Sequence, residues 1–198
     1  MSMTQDALRS RAKRTSNVLA CVLVHYGQMS VGTAAGGESA QGAAQARCDM
    51  SKYTVTVAID LANAFGLVGN EVTLLSLYVV MALIRTDRRI HVLLAKAGIT
   101  VDEAIEDVQY AADDLVYTRT HGFNYISVVE GVIRRLYSAM GETQGGLFSA
   151  LRFTAAKAIS VDEPLGREFP QFILRSIVDD GISQTEVRTR AQADQLTK

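Results

Sequence analysis

Apolar positions recur at helical spacing along most of this chain. Val57, Ala58, Leu61, Ala62 and Phe65 share one face of a segment from about Thr54 to Phe65, and that spacing predicts a helix. Val72 to Ile84 is almost wholly apolar and predicts a buried central helix, and about Asp87 to Ala97 predicts a third. A fourth begins at Thr100, with Val101, Ile105, Val108, Ala112 and Leu115 on one side; Gly66, Gly69 and Gly98 separate the four. After a linker near Tyr117 to Tyr125 the scheme returns. A helix opens with Ser127-Val128-Val129-Glu130 and closes at Gly141, another spans about Leu147 to Ile159, a third carries Pro170 in its first turn and ends at Gly181, and a last one starts at Ser183. No period-two alternation of strand length stands out.

Two stretches look like copies of one helix–turn–helix junction. Gly98-Ile99-Thr100-Val101-Asp102-Glu103 is echoed by Gly181-Ile182-Ser183-Gln184-Thr185-Glu186. In each, the glycine suits the left-handed position that closes a helix. The hydroxyl residue then suits an N-cap, with the glutamate reaching back to it as a capping box. The expected architecture is therefore all-α: two pseudo-repeated four-helix motifs, about residues 53–118 and 126–198. They follow an N-terminal region, residues 1–52. There residues 4–26 predict an amphipathic helix, basic in its first half and apolar in its second. Residues 27–48 are rich in Gly, Ala, Ser and Gln and predict a flexible connection, the alternative being a weak Ala-rich helix broken by Gly32, Gly36, Gly37 and Gly42.

Composition narrows the classes. The net charge of −1 over 198 residues opposes a whole-surface basic field for nucleic acid. Cys21 and Cys48 form neither a CxxC nor a His/Cys cluster, so a disulfide framework or zinc site is not expected and a cytoplasmic setting is. The Val72–Ile84 run stops at Arg85, short of the roughly 20 residues a membrane span needs. Arg9, Arg11, Lys13 and Arg14 ahead of Val18 to Val24 resemble a signal peptide, with Thr33-Ala34-Ala35 as a cleavage site, but His25, Tyr26 and Gln28 interrupt the apolar run early.

Tyr53-Thr54, Ala58, Ala62, Gly66, the Glu71-Val72-Thr73 lead into a Leu-rich helix, and Leu93-Leu94-x-x-x-Gly98-Ile99 resemble one Clp-N motif, the repeat that forms the N-terminal domain of Clp chaperone ATPases. The resemblance spans about Tyr53 to the C-terminus. It implies a duplicated four-helix fold that binds substrates, adaptors or partner proteins without chemistry of its own. The Glu-His pair that commonly opens the Leu-rich helix is absent, Leu75-Ser76 or Leu77-Tyr78 standing there, and no GxxxxGK[ST] phosphate loop occurs. The resemblance thus implies a stand-alone module.

Candidate chemistry is sparse. Cys21 and His25 are four apart and share a helix face, but a third metal ligand is missing nearby. His91 reads as a helix residue at the core edge, and His121 lies in the linker Arg119-Thr120-His121-Gly122. The carboxylates Asp102, Glu103, Glu106, Asp107, Asp113 and Asp114 crowd the fourth helix without a companion nucleophile or base at motif spacing. No enzyme, metal or cofactor is expected. Glu106, Asp107, Asp113 and Asp114 instead form an acidic face, with Tyr110 as an aromatic contact, that either is simply solvated or docks a basic segment. Arg9, Arg11, Lys13 and Arg14 form a basic arm able to reach the acidic helix of a neighbouring copy. These nine are the candidate partner-binding residues. The expected function is a protein-interaction adaptor or regulator. The alternatives are a structural subunit of a virion, secretion machine or filament, and a helical regulator that grips nucleic acid through Arg9 to Arg14.

Overall fold

The computed structural model describes residues 5–32, 35–121, 125–136, 141–142, 146–178 and 180–196, with the side chains of 120–129 and 133–136 left aside. The chain begins with α1 (Gln5–Leu23), which ends in a 3-10 turn at Val24–Tyr26. Then come α2 (Gly36–Met50), β1 (Thr54–Ile59), the short α3 (Ala64–Leu67), α4 (Asn70–Thr86), α5 (Arg88–Lys96) and α6 (Val101–His121). A hairpin follows, β2 (Tyr125–Val129) and β3 (Val132–Leu136). Helix α7 (Ser149–Lys157) runs through a π-helical turn (Ala158–Asp162) into α8 (Glu163–Glu168), and β4 (Ile173–Ile177), β5 (Asp180–Glu186) and α9 (Arg190–Leu196) complete the chain.

The fold is α+β, so the all-α expectation with two four-helix motifs is corrected. The predicted first helix is β1, and the helix predicted from Ser127 is the β2–β3 hairpin. The segment predicted as the next-to-last helix holds β4 and the start of β5, and the one predicted from Ser183 continues β5 before it reaches α9; β4 and β5 join β1 in an antiparallel sheet of order β1-β5-β4. Each error has a local cause. Thr54-Val55-Thr56-Val57 alternates β-branched residues, which favour a half-buried pleated surface. Glu130 and Gly131 both take positive φ, 51° and 78°, as a two-residue hairpin turn with the native strand twist requires; Glu130 thus closes a hairpin rather than a capping box. Gly181 pairs with Ile59 on one side and Ser176 on the other, so the second Gly-Ile-Ser copy is mid-sheet. The double Clp-N architecture is not the one observed.

The expected N-terminal helix and the helices over 72–84, 87–97, from Thr100 and from Leu147 are present as α1, α4, α5, α6 and α7. The first junction is built as its sequence suggests. Gly98 sits at φ 70°, Thr100 N donates to Glu103 Oε2 at 2.9 Å and Glu103 N to Thr100 Oγ1 at 3.2 Å. These helices enclose the main core, in which Leu19, Leu23, Leu77, Ile84, Ile90 and Leu94 are buried. Residues 36–50, expected as a flexible connection, form α2 instead, the Ala-rich helix of the alternative. It lies on one face of the sheet, where Gln184 Nε2 donates to Ala44 O at 3.2 Å and Thr56 Oγ1 at 3.2 Å. Its small Ala40 and Ala44 are buried there. The sheet joins the helices through β4: Met29 N donates to Ser176 O at 2.9 Å and Ser176 N to Gly27 O at 2.8 Å. Gly27 has φ 78°, and a Cβ there would stand 2.2 Å from Leu174 O.

Asp87 caps α5. Its Oδ1 accepts from Arg89 N at 2.8 Å, and the Arg89 guanidinium closes on both oxygens at 2.6 to 3.1 Å. The Arg89 side-chain bonds, and then its backbone bond, hold the Asp87 carboxyl down to about 2. A folded value below the unfolded one, about 3.9, means a contribution present above that value and lost as pH falls through the folded one. We expect acid unfolding followed by circular dichroism to steepen between about pH 4 and pH 2 in the native chain, and to steepen less in Asp87→Asn.

Candidate functional site

The basic and acidic residues singled out in the sequence meet within one chain. Arg11 Nη2 lies 2.8 Å from Glu106 Oε1 and its Nε 3.0 Å from Asp107 Oδ1, and Arg14 Nη2 donates to Asp107 Oδ1 at 3.0 Å. The Arg11 guanidinium also covers the Tyr110 ring, 4.7 Å from its centroid, a cation–π contact. Helix α1 is no detached arm, because Val18, Leu19, Val22 and Leu23 are wholly buried in the core. Asp113 is turned to Gln109, whose Nε2 donates at 2.7 Å, while Asp114 belongs to another cluster. Arg9 and Lys13 are exposed and have no ion-pair partner among the described residues. The structure thus gathers Arg11, Arg14, Glu106, Asp107 and Tyr110 into a junction between α1 and α6, and leaves Arg9, Lys13 and Asp113 outside it. Glu106 and Arg14 stay 70% and 57% exposed at their side chains and line, with Arg11 and Asp107, a polar cavity of about 420 Å³ beside Gly98 and Ile99.

Two buried clusters organise the other half. Arg152 Nε and Nη2 donate to Glu142 Oε1 and Oε2 at 3.0 and 2.8 Å, and its Nη1 to Asp114 Oδ2 at 2.7 Å. Burial alone would push this guanidinium down; the bonds and charges of Glu142 and Asp114 hold it above its ordinary value. Lys157 Nζ donates to Asp162 Oδ1 at 3.1 Å and Ser176 Oγ at 2.8 Å. An amine beside a hydroxyl is the arrangement of an activated nucleophile. Ser176 has no exposed surface, however, and Asp162 pairs the amine, so this cluster fastens the π-helical turn to β4 and cannot meet a substrate.

An apolar cavity lies elsewhere, on the sheet face opposite α2. A groove of about 390 Å³ runs between Val57, Ile59 and Leu174 of the sheet, Leu165 and Phe169 from α8 and the loop after it, and Leu196 of α9. Ser183 contributes a hydroxyl to an otherwise apolar lining. Apolar pockets with few polar groups are the usual form of binding sites. The groove opens beside β1, which is an edge strand. Val187 N donates to Tyr53 O across the β1–β5 register. Pairs two residues apart repeat this bonding, so the N–H and C=O of Thr54, Thr56 and Ala58 point outward from β5.

The sequence pattern does not bring these residues together: Val57 stands on an expected helical face and Ser183 at an expected N-cap, and the lining is drawn from residues 57–59, 165–174, 183 and 196. His91 Nε2 lies 2.7 Å from Ile84 O, and the His121 side chain is outside the described residues, although its backbone ends α6 rather than lying in a linker. The Cys21 thiol is pushed up by burial. No group of metal-ligating side chains occurs among the described residues, and no helix among them is long and apolar enough to cross a membrane. Comparison of the chain with protein-family models and with curated proteins gives no match to either.

Proposed function

We propose that this protein is a non-enzymatic protein-interaction module that takes an extended segment of a partner against β1, with that segment's apolar side chains seated in the groove. The observation that carries this reading is the adjacency of an apolar groove, lined by Val57, Ile59 and Leu174, to a strand edge whose backbone groups at Thr54, Thr56 and Ala58 face outward. Main-chain bonds along an edge supply affinity and alternate side chains supply selectivity. The partner this favours is a segment alternating apolar and polar residues.

A labelled peptide of alternating valine and threonine, titrated by fluorescence anisotropy, tests the reading. Val57→Lys places a charge in the groove and should weaken binding at least tenfold. Ala58→Pro removes an outward N–H without touching a β1–β5 bond and should weaken it by about the same factor, tenfold being about 1.4 kcal/mol. Binding that survives both variants, or no binding by the native chain, overturns the reading.

A further inference from the structure

The outward face of α4 carries a pattern that neither the groove nor the core uses. Glu71, Leu75, Tyr78, Ala82 and Arg85 are all exposed and follow one another at steps of four, three, four and three residues, the spacing of a helix–helix seam. Val72 lies beside them, and the large apolar members are bare: Val72 is 43% exposed, Leu75 64% and Tyr78 47%. Opposite, Thr73, Ser76, Leu77, Val80, Met81 and Ile84 face the core. The aliphatic hydroxyls of this helix are bonded within it, Thr73 to Gly69 O, Ser76 to Val72 O and Thr86 to Ala82 O.

The seam ends in opposite charges. Glu71 in the first turn and Arg85 in the last have no ion-pair partner among the described residues. Their signs suit the helix dipole, but the dipole does not call for both to lie in line with Leu75 and Tyr78. They stand 14 residues apart, about four turns, and Tyr78 lies midway. A two-fold axis through Tyr78 would set an identical antiparallel helix so that each Glu71 meets the other copy's Arg85, each Leu75 comes within one residue, about 1.5 Å along the axis, of the other's small Ala82, and the two tyrosines meet at the centre. Isologous contacts are self-complementary in this way.

We infer that the exposed face of α4 is a homodimer interface in which two copies pack antiparallel through Leu75, Tyr78 and Ala82 and are held in register by reciprocal Glu71–Arg85 pairs. A second copy fits better than an unrelated helix, because the charge that each end of the stripe needs is found at its other end. It is a different route to self-association from a basic arm reaching across, since Arg11 and Arg14 are already paired at home.

The test is a charge-swap cycle on the full chain, read by sedimentation equilibrium. The native protein should approach twice its 21.5 kDa chain mass. Glu71→Arg and Arg85→Glu each create two like-charge contacts per dimer and should weaken association about tenfold or more. The double variant Glu71→Arg/Arg85→Glu should recover to within about threefold of native, the signature of a direct pair. Leu75→Lys should be monomeric with an unchanged circular dichroism spectrum, which separates loss of the interface from loss of the fold. A monomeric native chain, a dimer indifferent to either single change, or a double variant no better than the singles overturns the inference.

Discussion

Asp162→Asn should cost about 3–5 kcal/mol of folding stability, measured by urea unfolding, although the residue touches no ligand. Lys157 and Asp162 are 1% and 2% exposed at their side chains, so amidation strands an ammonium away from water. The pair itself is a poor source of stability. Burial raises the Asp162 carboxyl above its ordinary value, and the Lys157 charge and its bond pull it back only in part. Attraction to Lys157 therefore does not fully offset the desolvation of the Asp162 carboxylate. Replacing both at once, Lys157→Met with Asp162→Leu, should accordingly recover most of the loss, since apolar groups of similar volume need no partner. Full recovery is not expected, because Ser176 Oγ and Asp180 O also receive the amine's bonds, at 2.8 and 3.4 Å. The cluster lies where α7 passes through the π-helical turn into α8, whose Leu165 lines the groove. We expect Asp162→Asn to weaken peptide binding in the groove as well, by loosening its wall.

How legible this was in the sequence differs by element, and the difference is physical. Helices α4, α5 and α6 announce themselves through local signals: an apolar run ended by Arg85 and Asp87, a cap at Asp87, and Gly98 with the Thr100–Glu103 box. The strands do not, because short apolar runs fit both periods and strand pairing is set by distant partners. Thr54 pairs with Glu186, 132 residues further along a chain of 198. The duplicated Gly-Ile-Thr/Ser-x-x-Glu order made the ambiguity worse, as it lent β5 the appearance of a helix start. Helix α2 was hidden for the opposite reason. Its small residues look like a linker, yet Ala40 and Ala44 are what let it approach the sheet. The candidate site divides in the same manner. Complementary charge between Arg11, Arg14, Glu106 and Asp107 was visible, but charge carries no address, and the matching partner is the same chain. The groove was invisible because its walls come from residues 57–59, 165–174, 183 and 196, which only the tertiary fold assembles.

Arg152→Ala should be as damaging as Asp162→Asn, about 3–5 kcal/mol, but should leave the groove alone. The Arg152 and Glu142 side chains are 6% and 1% exposed, and the two-point contact between them is one that a guanidinium makes and an ammonium does not. Truncating the arginine leaves the Glu142 carboxylate buried without its charge partner. Arg152→Lys should recover part of the loss, keeping the charge while losing the fork. The damage would spread toward α3 and the start of α4, because Glu142 N donates to Phe65 O and Gly141 N to Val68 O, both at 2.7 Å. Phe65 in turn stacks on Phe153 of α7 at 4.4 Å. None of these contacts involves the sheet or α8. The two variants therefore form a matched pair: comparable losses by urea unfolding, with peptide affinity reduced in Asp162→Asn and unchanged in Arg152→Ala under conditions where both remain folded. Equal loss of binding in the two would mean that the groove responds to stability in general, and that the Lys157 cluster has no particular hold on its wall.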